Sequence, residues 1–397
     1  MGDVRLAVLP LASPLHGATE DLVRPLVEAL RERSGVELAA ANGDVIRAEP
    51  AHVLLVLTGG TEGEALQFAS RAPGPVILLA HPGHNSLPAG LEIAARLRSD
   101  GRAVRLVHLG ANDDELLLVA RVIQLGRALR GKRIGLVGEP SPWLVASSPS
   151  PTLFEETLGI EVLSIPLERV LRMIPPAPAS AVDGPGLGIS QEEREMGARV
   201  HEALRRLVAE EELDGLTVAC FGLLPHRMTA CWALACLSDK GVPAGCEGDL
   251  PALLALIVAQ ELTGGPGFLA NPADVDPKHG ILTLAHCTVP LGLTRSHTLR
   301  THFESGLGLA VAGELHPGPY TLVRFGGRDL RDGFFVEGTL LDERVGREDL
   351  CRTQVLFKMP KGAIEKLLAE PLGNHHVLLP GHHRPILSLF HELFLAY

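Results

Sequence analysis

Side chains that could bind a divalent metal ion occur at three widely separated places in the second half of the chain. Glu247 is flanked by glycines just ahead of a long apolar run. His286 ends an apolar, strand-like run, and His375 belongs to a Gly-Asn-His-His sequence near the C-terminus. A carboxylate and imidazoles held beside rigid apolar elements are typical of a divalent-metal site. The sequence therefore predicts a metal site assembled by folding from Glu247, His286 and one histidine of the Gly-Asn-His-His sequence.

Each of these residues also has an ordinary structural explanation. A glutamate just before a helix interacts favourably with the helix dipole, and a histidine at a strand end is often a satisfied polar group. Asp249, two residues after Glu247, is better placed to cap the helix. Adjacent residues of a strand point to opposite faces, so only one of His375 and His376 can face a shared site.

Five further residues are candidate contacts for a small molecule: Trp143, His302, Arg352, Gln354 and Asn374. The indole of Trp143 lies in a proline-rich loop, where it could stack on a sugar or pack against the loop itself. Arg352 offers a planar fork of donors that suits a carboxylate, phosphate or sulfonate. If these side chains line a cleft, the substrate carries an anionic group. The equal alternative is a salt-bridged strand face.

Alternating apolar runs and helical patterns must position these residues. Up to about residue 240, strands such as 53–57 alternate with helices such as 113–129. This alternation predicts two α/β units with doubly wound parallel sheets. After residue 265, short strand-like runs separated by turn signals predict a β-rich antiparallel, barrel-like domain. We expect domains at 1–112, 113–244 and 245–397, with the metal-site candidates in the last.

Composition argues against several classes of partner. The 397-residue chain has a formal net charge of −11 and no long basic cluster, so we expect no nucleic-acid surface. Its six cysteines form no Cys-x-x-Cys pair, which favours a reduced, cytoplasmic protein. The N-terminus is typical of a strand rather than of a signal peptide, and no apolar run has membrane-spanning length, so we expect no membrane association.

The order and spacing of several short motifs resemble those of L-fucose isomerase and its relatives over nearly the whole chain. The stretches that carry this resemblance are Gly59-Gly-Thr-Glu62, Asn85-Ser-Leu-Pro-Ala89, Pro140-Ser-Pro-Trp-Leu144, Glu247 with the apolar helix after it, Gln260-Glu-Leu-Thr-Gly264, Phe268-Leu-Ala-Asn271, Cys351-Arg-Thr-Gln354 and Asn374-His375. The resemblance implies two α/β domains, a β-rich C-terminal domain and an active site beside a neighbouring subunit. We therefore expect a homo-oligomer, either a trimer or a hexamer.

The resemblance also implies roles for individual residues. Glu247 matches a glutamate that binds metal and moves a proton, and His375 matches a further metal ligand. His286 is similar in position to a histidine ligand of L-arabinose isomerase, which has the same fold. Asn271 falls where L-fucose isomerase has a catalytic, metal-binding aspartate. An amide oxygen can bind a hard cation but cannot act as a base.

These observations lead to a functional hypothesis. The resemblance implies a metal-dependent aldose–ketose isomerase that acts on a sugar or sugar derivative through an enediolate, with Glu247 and Asn271 at the catalytic positions. Mn²⁺ is the preferred metal, with Mg²⁺ or Zn²⁺ as alternatives. Because of Asn271, two alternatives stay open. One is another metal-dependent carbohydrate enzyme, an epimerase or lyase. The other is a non-catalytic sugar-binding or regulatory protein.

Overall fold

The computed structural model describes residues 4–16, 19–110, 113–177, 180 and 182–397. The chain divides into two compact units. One unit extends to residue 130 and also includes residues 385–397, and the other spans residues 131–384. This division is coarser than the three predicted domains, whose boundaries stay a prediction.

The first unit alternates strands and helices around a parallel sheet. In chain order it contains β1 (Val4–Leu11), a 3₁₀ turn (Pro14–His16), α1 (Thr19–Ser34), β2 (Val36–Ala40), α2 (Gly43–Ala48), β3 (His52–Val56), α3 (Glu62–Ser70), β4 (Val76–Ala80), α4 (Ser86–Ser99), β5 (Val104–His108) and α5 (Asp113–Leu129). The strand order is β2-β1-β3-β4-β5. Both β3 and β4 are buried along their whole length, as expected of parallel strands covered on both faces.

The second unit begins with another parallel sheet. Its elements are β6 (Arg133–Val137), α6 (Thr152–Leu158), β7 (Glu161–Ile165), α7 (Leu167–Met173), α8 (Gln191–Glu210), β8 (Gly215–Val218), a 3₁₀ helix (Cys220–His226), α9 (Cys231–Asp239) and β9 (Ala244–Cys246). The strand order is β7-β6-β8-β9. The apolar run over 215–224 has the pattern of a single strand, but the backbone leaves the sheet after Val218 and coils into the 3₁₀ helix.

A closed antiparallel barrel follows in the same unit. The elements after β9 are α10 (Leu250–Thr263), β10 (Phe268–Asp276), β11 (Ile281–His286), a 3₁₀ turn (Leu291–Leu293), β12 (Thr294–Arg300), β13 (Ala310–Leu315), β14 (Gly318–Gly326), β15 (Asp332–Leu340), β16 (Thr353–Lys358), α11 (Ala363–Ala369), β17 (His376–Pro380) and α12 (Arg384–Phe394). The barrel order is β10-β11-β16-β15-β14-β17, and β12 pairs with β13. From residue 385 onward, α12 belongs to the first unit. The parallel sheets and this barrel confirm the predicted fold class.

Helix α10 connects the two sheets of the second unit. Its residues from Leu250 to Ala259 are all buried, and it contacts β8 and β9 as well as β14 and β17. Asp249 caps its first turn by accepting from the Ala252 N–H at 2.8 Å. A helix that is apolar all round must be buried in a core. Within the described ranges, no helix is long and apolar enough to cross a membrane.

A buried histidine lies among the apolar side chains of the barrel. His376 packs edge-on against Phe334, with ring centroids 5.8 Å apart, and its Nδ1 donates to the Asn374 carbonyl at 3.1 Å. Burial, helped by the nearby Arg324 charge, lowers the pKa of His376 to about 4. The ring is therefore neutral in the folded protein at neutral pH.

The His376 ring makes stability depend on pH. Its pKa is lower in the folded chain than the unfolded value of about 6.5. The neutral ring therefore makes its full contribution to stability above about pH 6.5, and this contribution is lost as pH falls towards 4. Between pH 7 and pH 5, the free energy of unfolding should fall by about 2 kcal/mol less in His376→Gln than in wild type. Urea unfolding with chelator present, followed by tryptophan fluorescence, measures this, and His382→Gln at an exposed position is the control. An unchanged pH dependence would contradict this account.

Candidate active site

Glu247 lies in a strained turn between β9 and α10. Its φ of +65° is in the left-handed region, which costs an L-residue roughly 1–2 kcal/mol. The Ser141 N–H donates to its carbonyl at 2.9 Å. Gly248 follows with a φ of +77°, and a Cβ there would lie 2.8 Å from Pro140. The loop after β6 therefore holds the turn in a strained conformation of a kind that clusters at active sites and ligand clamps.

The carboxylate of Glu247 is buried but only partly satisfied. The residue is 8% exposed, and the Trp143 indole donates from Nε1 to Oε2 at 2.6 Å. Its other oxygen, Oε1, faces Nε2 of His375 at 3.8 Å, which is too far for a hydrogen bond. One carboxylate oxygen is therefore available to a ligand where little water competes.

Asp249 fixes the tautomer of His375. The two side chains are fully buried, and His375 Nδ1 lies 3.0 Å from Asp249 Oδ2. Because an ionised carboxylate can only accept, Nδ1 carries the hydrogen. Nε2 then points towards Glu247, and it has no hydrogen-bond partner in the described part of the chain. Proteins orient histidine ligands towards metal ions by this carboxylate–histidine arrangement.

A buried ion pair keeps Asp249 charged. Arg324 donates from Nη1 to the two carboxylate oxygens at 3.1 and 3.0 Å, and both side chains are fully buried. Burial acts to raise the pKa of Asp249, but the Arg324 charge and the His375 hydrogen bond outweigh it, so this pKa lies below its ordinary value. The guanidinium also donates to Ser147 Oγ at 2.6 Å. A Cβ on Gly373 would approach Arg324 Nη2 to 2.7 Å, so only glycine fits there.

Glu247 and His375 fit a hard divalent cation. Their facing acceptors are 3.8 Å apart, which suits two ligands that each lie about 2.0–2.3 Å from one ion. Nε2 of His375 is buried without a partner among the described residues, and a cation bound between it and Glu247 would satisfy it. Among the described residues, no three His, Cys, Asp or Glu side chains converge as a complete set of ligands. Other donor types, water or substrate would complete the shell, as Mg²⁺ and similar ions require.

His286 lies beside His375 as a neutral imidazole. The two ring centroids are 5.5 Å apart with the planes at 74°, and His286 Nδ1 lies 2.8 Å from the Thr288 hydroxyl. Burial, with smaller effects of His375 and His302, holds the pKa of His286 well below its usual range. The structure thus brings this predicted ligand next to the site in the state that can bind a metal.

An aromatic row links two of the predicted substrate contacts. Phe221 packs edge-on against Trp143 at 4.8 Å and against His302 at 5.8 Å, measured between ring centroids. Burial, together with the Arg352 charge, lowers the pKa of His302. Phe221 orients the indole that hydrogen-bonds Glu247, and the sequence offered no signal for this role beyond its place after a strand.

Asn271 carries a second orphaned acceptor. It lies on β10 opposite Ala285, the residue before His286. Its Oδ1 is buried and has no hydrogen-bond partner among the described residues. A buried acceptor without a partner costs about 1–3 kcal/mol, and an amide oxygen is a suitable ligand for a hard cation. Among the described residues, Asn271 makes no hydrogen bond to Glu247 or His375.

The other predicted substrate contacts are held by protein groups. Arg352 donates from Nε to the Thr301 carbonyl at 2.9 Å. The amide of Gln354 donates to the carbonyls of Arg347 and Cys351 at 2.5 and 3.0 Å. Exposed Asn374 accepts from the His375 N–H at 2.9 Å. These contacts organise the loops around the site.

A cleft of about 860 Å³ opens next to Trp143. It lies at the carboxyl ends of β6, β7 and β8, where open parallel sheets bind ligands beside the point at which strand order reverses. Phe221, Gly248 and Glu139 also line it. The cleft therefore gives a small molecule room beside the turn that carries Glu247.

Fold and site together define a class of protein. It combines doubly wound parallel sheets with an antiparallel barrel, and a buried carboxylate faces an oriented imidazole beside an open cleft. This arrangement suits chemistry on a small polar molecule in which a carboxylate moves a proton and a cation stabilises developing negative charge.

Curated relatives named sulfoquinovose isomerase are similar to this chain. The proteins from Priestia aryabhattai and Priestia megaterium (strain ATCC 12872 / QMB1551) are each 23% identical to it over 262 residues, which is 60% of this chain and 58% of theirs. The protein from Clostridium sp. (strain MSTE9) is 29% identical over 111 residues, 26% of this chain and 24% of its own. The chain thus spans less than two thirds of the length of these relatives. No family model matches it.

Removing the Arg324 charge should strongly destabilise the second unit. In Arg324→Met the Asp249 carboxylate is left buried without its cation, a change that costs about 3–5 kcal/mol. Both tryptophans, Trp143 and Trp232, lie in this unit, so urea unfolding followed by their fluorescence reports on it. The surface variant Arg295→Met should keep the wild-type midpoint. An Arg324→Met midpoint equal to that of wild type would show that the buried pair does not hold the unit together.

Proposed function

We propose that this chain converts an aldose into the corresponding ketose and that its substrate is a sugar derivative. The observation that carries the proposal is the buried Glu247 carboxylate, whose free oxygen faces an oriented His375 at 3.8 Å. The names of the relatives, which are isomerases of a sugar, support the reaction type. The family resemblance to L-fucose isomerase and the trimeric or hexameric assembly belong to the same proposal.

Glu247 is the group that moves the proton between the two carbons. A carboxylate within reach of the substrate can abstract a proton from one carbon and return it to the next. The Trp143 hydrogen bond at 2.6 Å holds Oε2, so the two lone pairs of Oε1 are left for the cation and for the substrate proton. Asn271 cannot serve as a base because an amide does not titrate in this range. In this proposal a single carboxylate therefore carries both proton transfers.

Glu247 and His375 would hold a divalent cation, and Asn271 Oδ1 and His286 would have to move towards it to act as further donors. When bound, such an ion would supply electrophilic polarisation that favours the proton transfer. Asp249 keeps the donating lone pair of His375 directed at this position, since it accepts the Nδ1 hydrogen at 3.0 Å. Burial of both side chains excludes water and strengthens their electrostatic interactions.

The predicted anionic character of the substrate stays part of the proposal. Within the described residues near the site, Arg324 is paired with Asp249, and Arg352 binds the Thr301 carbonyl. A substrate panel that contains sulfoquinovose, phosphorylated sugars and neutral aldoses would test this character directly.

Glu247→Gln should lower isomerisation by about 10²–10⁴-fold, because it removes the base while it keeps an acceptor for the Trp143 indole. Product formation from the sugar panel, followed by NMR with Mn²⁺ or Mg²⁺ present, measures the effect. Glu365→Gln on α11 is the matched control and should react like wild type. Full activity in Glu247→Gln would refute the assignment of the base. If wild type isomerises no sugar of the panel, the proposed reaction is wrong.

Asn271→Asp should tighten Mn²⁺ binding at least tenfold if Asn271 Oδ1 is a ligand, since a carboxylate adds a full negative charge to the donor set. Isothermal titration calorimetry measures this affinity without any need for activity. The control is Asn42→Asp, which exchanges one good helix cap for another in the first unit. Equal Mn²⁺ affinities in wild type and Asn271→Asp would remove this residue from the donor set.

A further inference from the structure

Two buried cysteines lie in contact directly behind Glu247. Cys246 is the last residue of β9, and Cys220 begins the 3₁₀ helix that follows β8. Their Sγ atoms are 2.6 Å apart, and both residues are free thiols. A disulfide requires sulfur atoms about 2.05 Å apart, so bond formation would shorten this separation by about half an ångström.

Both cysteines are connected to the Glu247 carboxylate. Cys246 precedes Glu247 in the chain, and its carbonyl accepts from the Asp249 N–H at 3.3 Å. Cys220 precedes Phe221, whose ring packs on the indole of Trp143, and this indole in turn hydrogen-bonds Glu247. A covalent bond between the two sulfurs would therefore reach the carboxylate by two routes. One runs through the backbone from Cys246, and the other through the Phe221 and Trp143 side chains from Cys220.

A small oxidant has a route to this pair. Cys220 is 7% exposed and lines a narrow cleft together with Thr229 and His302. In the same unit, the thiols of Cys287 and Cys351 are also in contact. Half-buried Cys236 contacts neither these two cysteines nor Cys220 and Cys246.

We infer that Cys220 and Cys246 form a reversible disulfide under peroxide and that this bond displaces Glu247. Hydrogen peroxide oxidises one thiol to a sulfenic acid as its O–O bond breaks and one water leaves. The second sulfur attacks the sulfenic sulfur, the S–S bond forms and a second water leaves. In total, two thiols lose two protons and two electrons, and one peroxide becomes two waters. A dithiol reductant reverses the change by exchange.

Peptide mapping tests the modification itself. Reduced protein is treated with one equivalent of hydrogen peroxide, remaining thiols are alkylated, and non-reduced peptides are analysed by mass spectrometry. The expected product is a cross-link between Cys220 and Cys246 that dithiothreitol removes. It should be lost in Cys246→Ala and retained in Cys236→Ala. A cross-link confined to Cys287 and Cys351, or sulfinic acid at Cys220 without any cross-link, would overturn the inference.

Trp143 fluorescence tests the coupling to Glu247 without an assay of activity. In a Trp232→Phe background the remaining tryptophan is Trp143. Its emission should shift on oxidation, recover on reduction and stay constant when Cys246→Ala is added. A cross-link that leaves the emission unchanged would refute the displacement of Glu247.

The effect on isomerisation rests on the proposed function. Displacement of the Glu247 carboxylate should lower kcat roughly tenfold, and the loss should reverse on reduction. Absence of any isomerase activity in the reduced protein would count against the proposed function, whereas the cross-link and the fluorescence shift would stand.

Discussion

The buried ion pair between Asp249 and Arg324 sets the geometry on which the candidate site depends. The Asp249 carboxylate caps α10, accepts from Arg324 on β14 and accepts from His375 just before β17. It thereby ties the helix behind the parallel sheet to two strands of the barrel. Well-packed apolar side chains can replace such a pair without loss of stability, so its value here lies in orientation. No apolar substitute could hold the hydrogen of His375 on Nδ1.

This orientation explains the pair of facing acceptors. With Nδ1 committed to Asp249, Nε2 is the ring atom of His375 that faces Glu247, and it has no hydrogen-bond partner among the described residues. Burial makes that arrangement unfavourable unless a cation is present. The unfavourable interaction is the physical reason to regard this position as a binding site.

The sequence predicted the alternating architecture well because periodicity is local, and it predicted the helix cap at Asp249 for the same reason. It placed Glu247, His286 and His375 as candidates, and folding brings the two histidines into ring contact. The role of Arg324 was missed because its partner lies 75 residues away in sequence. A signal was present, since Tyr320, Leu322 and Arg324 are spaced two residues apart on β14 and therefore share its interior face. Short β9 escaped prediction because three residues carry no periodicity.

The left-handed turn at Glu247 makes the site sensitive to its surroundings. An L-residue does not prefer this conformation, so its neighbours must impose it. Ser141 holds the carbonyl, Trp143 holds the carboxylate, and Cys246 anchors the preceding strand. The position of the carboxylate is therefore a property of the packing around it rather than of its own backbone preference. A change in any one of these contacts lets the turn relax, and such a turn can respond to a chemical event at a neighbouring thiol.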